Sequence, residues 1–201
     1  MKHPFNDEMT GWDWLFNSIL CRLFKYRDIV KTEESEESIG NGVALYHSGP
    51  TLYLRRFYLW SKGNKEDGYK GAIFLHNIRR SDNDRHMHDH PWDFTSYVLA
   101  GGYYEQLPGA EVVDLAGNVS KPGRKVYPGM ELHNPAEHLH KVELWRNPDG
   151  SPMRAWTIVK AGPARRIWGF QTEEGWVDYK TYLGIPQETP ETNGEDIIPK
   201  T

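Results

Sequence analysis

A chain of 201 residues is long enough for one domain of ordinary size and short for two, so a single core is expected. Its 24 Lys and Arg stand against 28 Asp and Glu, which leaves no basic field to hold nucleic acid or an anionic membrane surface. A 13% share of aromatics argues against global disorder, and the lone Cys21 excludes an internal disulfide and a cysteine-rich zinc site. The opening "MKHPFNDEMTGWDWLF" mixes acids into what would be the apolar core of a signal peptide, and no apolar run reaches the roughly 18 residues of a membrane span. A cytoplasmic protein is expected.

In chain order, apolar residues at Trp12, Leu15, Phe16, Ile19, Leu20, Leu23 and Phe24 follow a helical period, with Thr10 available as a cap. The polar face of this helix is not rich in Lys or Arg, so the helix is expected to pack against the outside of the core. The following "KTEESEES" is acidic and reads as a solvated loop, so residues 1–41 form an N-terminal helix and acidic loop. From 42 to 183 the texture changes to short β-type runs such as "TLYLRRFYLW", "AIFLHNI", "DFTSYVLA" and "RAWTIVKAG", punctuated by "SGP", "LPG" and "NPDG". That is the pattern of an antiparallel sandwich or barrel. Residues 184–201 form a polar tail.

Six of the nine histidines sit in two groups, "HMHDH" at 86–90 and "HNPAEHLH" at 133–140. Strand alternation turns His86, His88 and His90 to one face and Met87 and Asp89 to the other. His138 and His140 share a face by the same parity, and one of them could reach across a barrel to meet the first group. Three neutral imidazoles suit a first-row divalent ion: Fe, Mn, Ni, Zn or Cu.

The stretch "HDHPWDFTSYVLAGGYYE" resembles the first motif of the cupin family, and "YPGMELHNPAEHLHKVEL" resembles the second. The resemblance implies a mainly β fold, a single double-stranded β-helix or jelly-roll barrel, here with an N-terminal amphipathic α-helix. It also implies His88, His90 and His140 as ligands of a divalent metal ion, with His138 one step down the same face. Cupins commonly place a Glu four residues after the second His, and Phe94 stands at that position. Asp93 is therefore the candidate fourth ligand, or a group that orients a ligand imidazole. The wider pattern, with "WTIVKAGPARRIWGF" and "GWVDY", is similar to a subgroup of bacterial and bacteriophage cupins, and the family also implies a homodimer.

Tyr103 and Glu105 share a strand face and are candidates for a general acid and base, although Glu105 pointing to solvent is the plainer expectation. Arg55, Arg56, Arg79 and Arg85 lie in or beside the early strands. An inward one could fork onto a carboxylate or phosphate, and Arg85 is the first candidate. Trp168, Phe170, Trp176 and Tyr179 cement barrel edges or wall a pocket. Together these residues suggest a metalloenzyme acting on a small polar molecule, dioxygenase-like or isomerase-like, whose partner is a small-molecule ligand. A non-catalytic binding module and a structural or interaction protein are the alternatives.

Overall fold

The computed structural model describes residues 11–31, 35–39, 43–47, 51–63, 70–82, 86–113, 116 and 118–185. Helix α1 (Gly11–Leu23) comes first, followed by strands β1 (Lys25–Lys31), β2 (Ser35–Ile39), β3 (Val43–His47), β4 (Thr51–Lys62) and β5 (Gly71–Ile78). The middle of the chain gives β6 (Met87–His88), β7 (Phe94–Ala100), β8 (Tyr103–Gln106), β9 (Val112–Val113), β10 (Val119–Ser120) and β11 (Gly123–Val126). The rest comprises β12 (Glu131–Asn134), β13 (Lys141–Leu144), β14 (Ala155–Ala161), β15 (Gly169–Thr172), β16 (Gly175–Asp178) and the short α2 (Tyr179–Tyr182). None of the helices is long and apolar enough to cross a membrane, among the described residues.

One six-stranded antiparallel sheet runs β1-β4-β5-β14-β7-β12. Opposite it, β11-β8-β13 and β16-β15-β6 form two three-stranded pieces. An antiparallel bridge between His88 and His140 joins these pieces edge to edge into a second wall. The alternation of β14, with Ala155, Thr157, Val159 and Ala161 buried, shows why these segments form strands: one face is apolar and turns inward. Between the walls pack Val98, Tyr103, Val126, Leu132, Val142, Leu144 and Ala155, and further along Ala72, Phe74, Val159 and Ala161. The result is an antiparallel barrel of the jelly-roll kind.

The tight reversal from β7 to β8 needs glycine at Gly101. Its φ is 71°, and a Cβ there would fall 2.1 Å from the Arg154 carbonyl oxygen.

Helix α1 lies on the outer face of the first sheet. Leu20 packs with Phe57 and Leu75, and Asn17, 1% exposed, accepts a hydrogen bond from Asn77 Nδ2 at 3.3 Å. Burying Phe57 completely contributes roughly 1.5–3 kcal/mol. The helix thus docks through a narrow stripe and leaves Trp14, Leu15, Ile19 and Leu23 exposed.

Two expectations for the N-terminal region change. The acidic "KTEESEES" is not a loop throughout: Lys31 ends β1, and Ser35–Ile39 pairs with Val43–His47 as a hairpin. Backbone pairing fixes a strand there, and acidic composition does not forbid it. The sheet also begins before residue 42, because β1 pairs along β4 from Lys25↔Tyr58 to Lys31↔Thr51. Thr10 and residues 186–201 lie outside the described residues.

Candidate metal centre

The centre is built on a cross-strand pair. His88 N–H donates to the His140 carbonyl and His140 N–H to the His88 carbonyl, each at 3.0 Å. Residues that exchange both bonds in an antiparallel pair stand directly opposite, with their side chains on one face. Their rings lie 4.9 Å apart, centroid to centroid. Alternation then brings His90 to the same face, where its N–H donates to the Ala136 carbonyl at 2.9 Å and its ring lies 5.0 Å from that of His140. One nitrogen from each of His88, His90 and His140 falls within 4.8 Å of the others.

The closest approach is His90 Nε2 to His140 Nε2, at 2.9 Å. With metal–nitrogen bonds of about 2.1 Å, two ligand nitrogens at right angles lie about 3 Å apart, so this spacing fits a shared first-row ion. Burial, then the neighbouring His140 and His88, hold the His90 ring well below the ordinary histidine pKa, so it is neutral as a ligand must be.

The other nitrogen of His140 is engaged by Glu105. This carboxylate is 1% exposed, and its Oε1 accepts from His140 Nδ1 at 2.8 Å and from His138 Nε2 at 3.0 Å. Its Oε2 accepts from Arg124 Nε at 2.5 Å. Burial pushes the Glu105 carboxyl up, but the hydrogen bonds from His138, His140 and Arg124 outweigh it and hold the group well below the usual carboxylate range. An ionised acceptor at Nδ1 keeps the His140 proton there and turns the Nε2 lone pair toward His90. Glu105, His138 and His140 form a second group of potential ligands. Both Glu105 oxygens are already committed to donors, so the three-imidazole group is the better cation site and Glu105 is its support.

The structure brings together some of the expected residues and separates others. His140 stands with His88 and His90, whereas His138 is drawn to Glu105. His86 leaves the cluster, and its Nδ1 lies 3.0 Å from the Tyr182 hydroxyl. Asp93 is not at the centre. Its Oδ1 faces outward to the Ala136 N–H at 2.7 Å and to Arg165 Nη2 at 2.7 Å, and its side chain is 58% exposed. The reason is its place at the entry to β7: it stands next to Phe94, which turns inward with its ring 4.6 Å from that of His90, so Asp93 takes the opposite, outward side.

Glu105 does not point to solvent; it is the buried partner just described. Tyr103 shares its face but sits among Val98, Val126 and Leu132. Burial and then the Glu105 charge push its phenol well above the ordinary range, so it stays protonated. Arg85 lies outside the described residues.

Three groups carry roles that the sequence reading did not assign. Asp89, 2% exposed, faces away from the cluster, and its Oδ1 accepts from the Gly169 N–H at 2.7 Å. Its Oδ2 accepts from Arg166 Nη1 at 2.6 Å and Trp176 Nε1 at 2.9 Å. It thereby fastens the His88–His90 segment to β15 and β16. Arg124 and Arg166 complete the two carboxylate anchors, and no spacing in the sequence ties either arginine to its acid. Behind His88, Trp168 stacks on Tyr179 at 4.8 Å and Phe170 on Tyr182 at 3.9 Å, which makes this side an apolar backing.

Two antiparallel walls with the imidazoles of His88, His90 and His140 converging between them define a histidine-lined barrel of the jelly-roll kind. Solved structures similar to this chain include KdgF from a Halomonas species, with 15% identity over 57% of this chain and 82% of that one and a TM-score of 0.35. A cupin-like protein from Thermotoga maritima has 14% identity over 68% and 86% and a TM-score of 0.38. A cupin-2 domain protein from Rhodospirillum rubrum has 14% identity over 76% and 78% and a TM-score of 0.41. At these scores the barrel is defined by the strand pairings of this chain itself. No protein-family model and no curated protein sequence matches the chain.

Proposed function

We propose that the protein binds one divalent first-row metal ion through His88, His90 and His140 and acts as a metalloenzyme on a small polar molecule. The observation that carries this reading is the His88/His140 cross-strand pair, with His90 Nε2 at 2.9 Å from His140 Nε2 and an ionised carboxylate behind His140. When bound, an ion with three protein ligands supplies open positions for Lewis-acid polarisation or dioxygen activation. The chain's own part is to hold His90 neutral and all three imidazoles aimed. Glu105 keeps a proton on His140 Nδ1, Phe94 and Phe170 pack against the imidazoles, and Asp89 anchors the strand segment from outside. An all-histidine ligand face, with Glu105 engaged at the Nδ1 side of His140 rather than as a ligand, favours dioxygenase-like over isomerase-like chemistry, and a small-molecule substrate is the partner this requires.

The test is metal analysis of protein purified without a histidine tag. Close to one Fe, Mn, Ni or Zn per chain is expected, with His88→Ala losing the metal. A His88→Ala variant that keeps both its metal and its thermal midpoint overturns the ligand assignment. A wild-type protein that takes up none of these ions returns the barrel to a metal-free binding or structural role.

A further inference from the structure

Arg55 and Arg56 are neighbours in β4 and face opposite ways. Arg55, 1% exposed, turns to the helix side, where its Nε and Nη2 donate to the two oxygens of Asp28 at 2.7 and 2.9 Å. The register places Asp28 directly across from it in β1. This arginine is neutralised, and its role is to fix the strand.

Arg56 turns to the barrel side. Its Nε donates to His76 Nε2 at 3.0 Å, its guanidinium carbon lies 4.7 Å from the Phe74 ring centre, and the Tyr58 side chain hydrogen-bonds to it. No carboxylate pairs with it among the described residues, and its cross-strand neighbour in β1 is another cation, Arg27. Burial lowers the pKa of this guanidinium, with the Arg27 charge adding to the effect and the Tyr58 and Tyr53 hydroxyls working against it. The group also lies near the histidine centre: Phe74, beneath its guanidinium, packs in one cluster with Phe94, whose ring lies 4.6 Å from that of His90.

A withdrawn cation without a counter-ion costs stability unless a ligand compensates it. An edge arginine that blunts sheet pairing is not the explanation, because β4 is flanked by β1 and β5. The contacts also orient the group. His76 is kept neutral by burial and by Arg56, so its Nε2 accepts, and Phe74 holds one face of the guanidinium plane. The terminal nitrogens then form the edge suited to two parallel bonds with an oxyanion.

We propose that Arg56, oriented by His76 and Phe74, binds the carboxylate or phosphate of an acidic small-molecule substrate beside the histidine centre. This names the substrate class of the proposed metalloenzyme and rests on that reading for its catalytic meaning.

The experiment is calorimetric titration of benzoate and of inorganic phosphate, as separate arms, into untagged protein, both metal-loaded and chelator-treated. At least one anion is expected to bind wild type, and the stronger arm tells a carboxylate from a phosphate substrate. Arg56→Gln should bind it roughly 10–100-fold more weakly, with unchanged metal content. Should Arg56→Gln fail to fold, Arg56→Lys decides, since it keeps the charge and loses the fork, and binding about 10-fold weaker is expected. Equal affinity in the deciding variant, or no binding of either anion by wild type, overturns the proposal. Anion binding in chelator-treated protein does not need the ion, so loss of the metal reading and loss of the Arg56 assignment are separate results.

Discussion

The segment His88–His90 has two sides with opposite tasks. Inward, two imidazoles meet a third from the neighbouring strand, with nitrogens placed to share a cation. Outward, Asp89 gathers a backbone N–H, a guanidinium and an indole N–H onto one carboxylate. A strand that alternates every residue can therefore carry a ligand set on one face and its own fastening on the other. The inner side should govern metal content and the outer side the stability of the metal-free barrel.

The largest effect on stability is expected outside. Asp89→Ala leaves the Gly169 N–H, Arg166 and Trp176 Nε1 without their acceptor. Breaking a buried pair of this kind costs about 3 kcal/mol at the low end, which suits a partly exposed Arg166. For a chain of this size that is roughly 6–12 °C in the thermal midpoint. Calorimetry on metal-free protein reads it, and a shift below about 2 °C would remove Asp89 from its anchoring role.

Glu105→Gln tests the support behind the inner side. The amide is nearly isosteric but carries no charge, so it no longer holds the His140 proton on Nδ1 with the same strength. A 10–100-fold loss in metal affinity is expected, the usual consequence of altering a group that orients a ligand imidazole. Competition with a chelator of known affinity measures it. Unchanged affinity would mean that His140 is aimed by its backbone pairing alone.

How much of this was legible in the sequence follows from the same two sides. The barrel and the histidine pair could be read because alternation is local, and His88 and His90 carry their shared face in their spacing. The choice of His140 over His138 depends on which residue lies opposite His88, and that register is a long-range fact. The fourth carboxylate was sought at Asp93, close in sequence to the histidines. The acid that touches them is Glu105, one strand further on, whose shared face with Tyr103 was legible but whose burial and partners were not, since a solvent position was the plainer expectation. Asp89, Arg124 and Arg166 were silent for a related reason: anchors are formed by strands that meet only in the folded chain.

The smallest effect separates the two aspartates of "HDHPWD". Asp93 is held below the ordinary carboxylate range by hydrogen bonds from Arg165 and then from the Ala136 N–H, in an exposed position where water and salt weaken the pair. A depressed folded-state value means that its contribution to stability is present above the unfolded value of about 3.9 and fades as pH falls through the lower folded one. Asp93→Asn should therefore retain full metal occupancy and differ from wild type by only a small thermal shift at neutral pH, with the two melting curves converging in acid. If this variant instead lost a large share of its metal, the outward aspartate would be a ligand after all, and the division between the two sides of the strand would not hold.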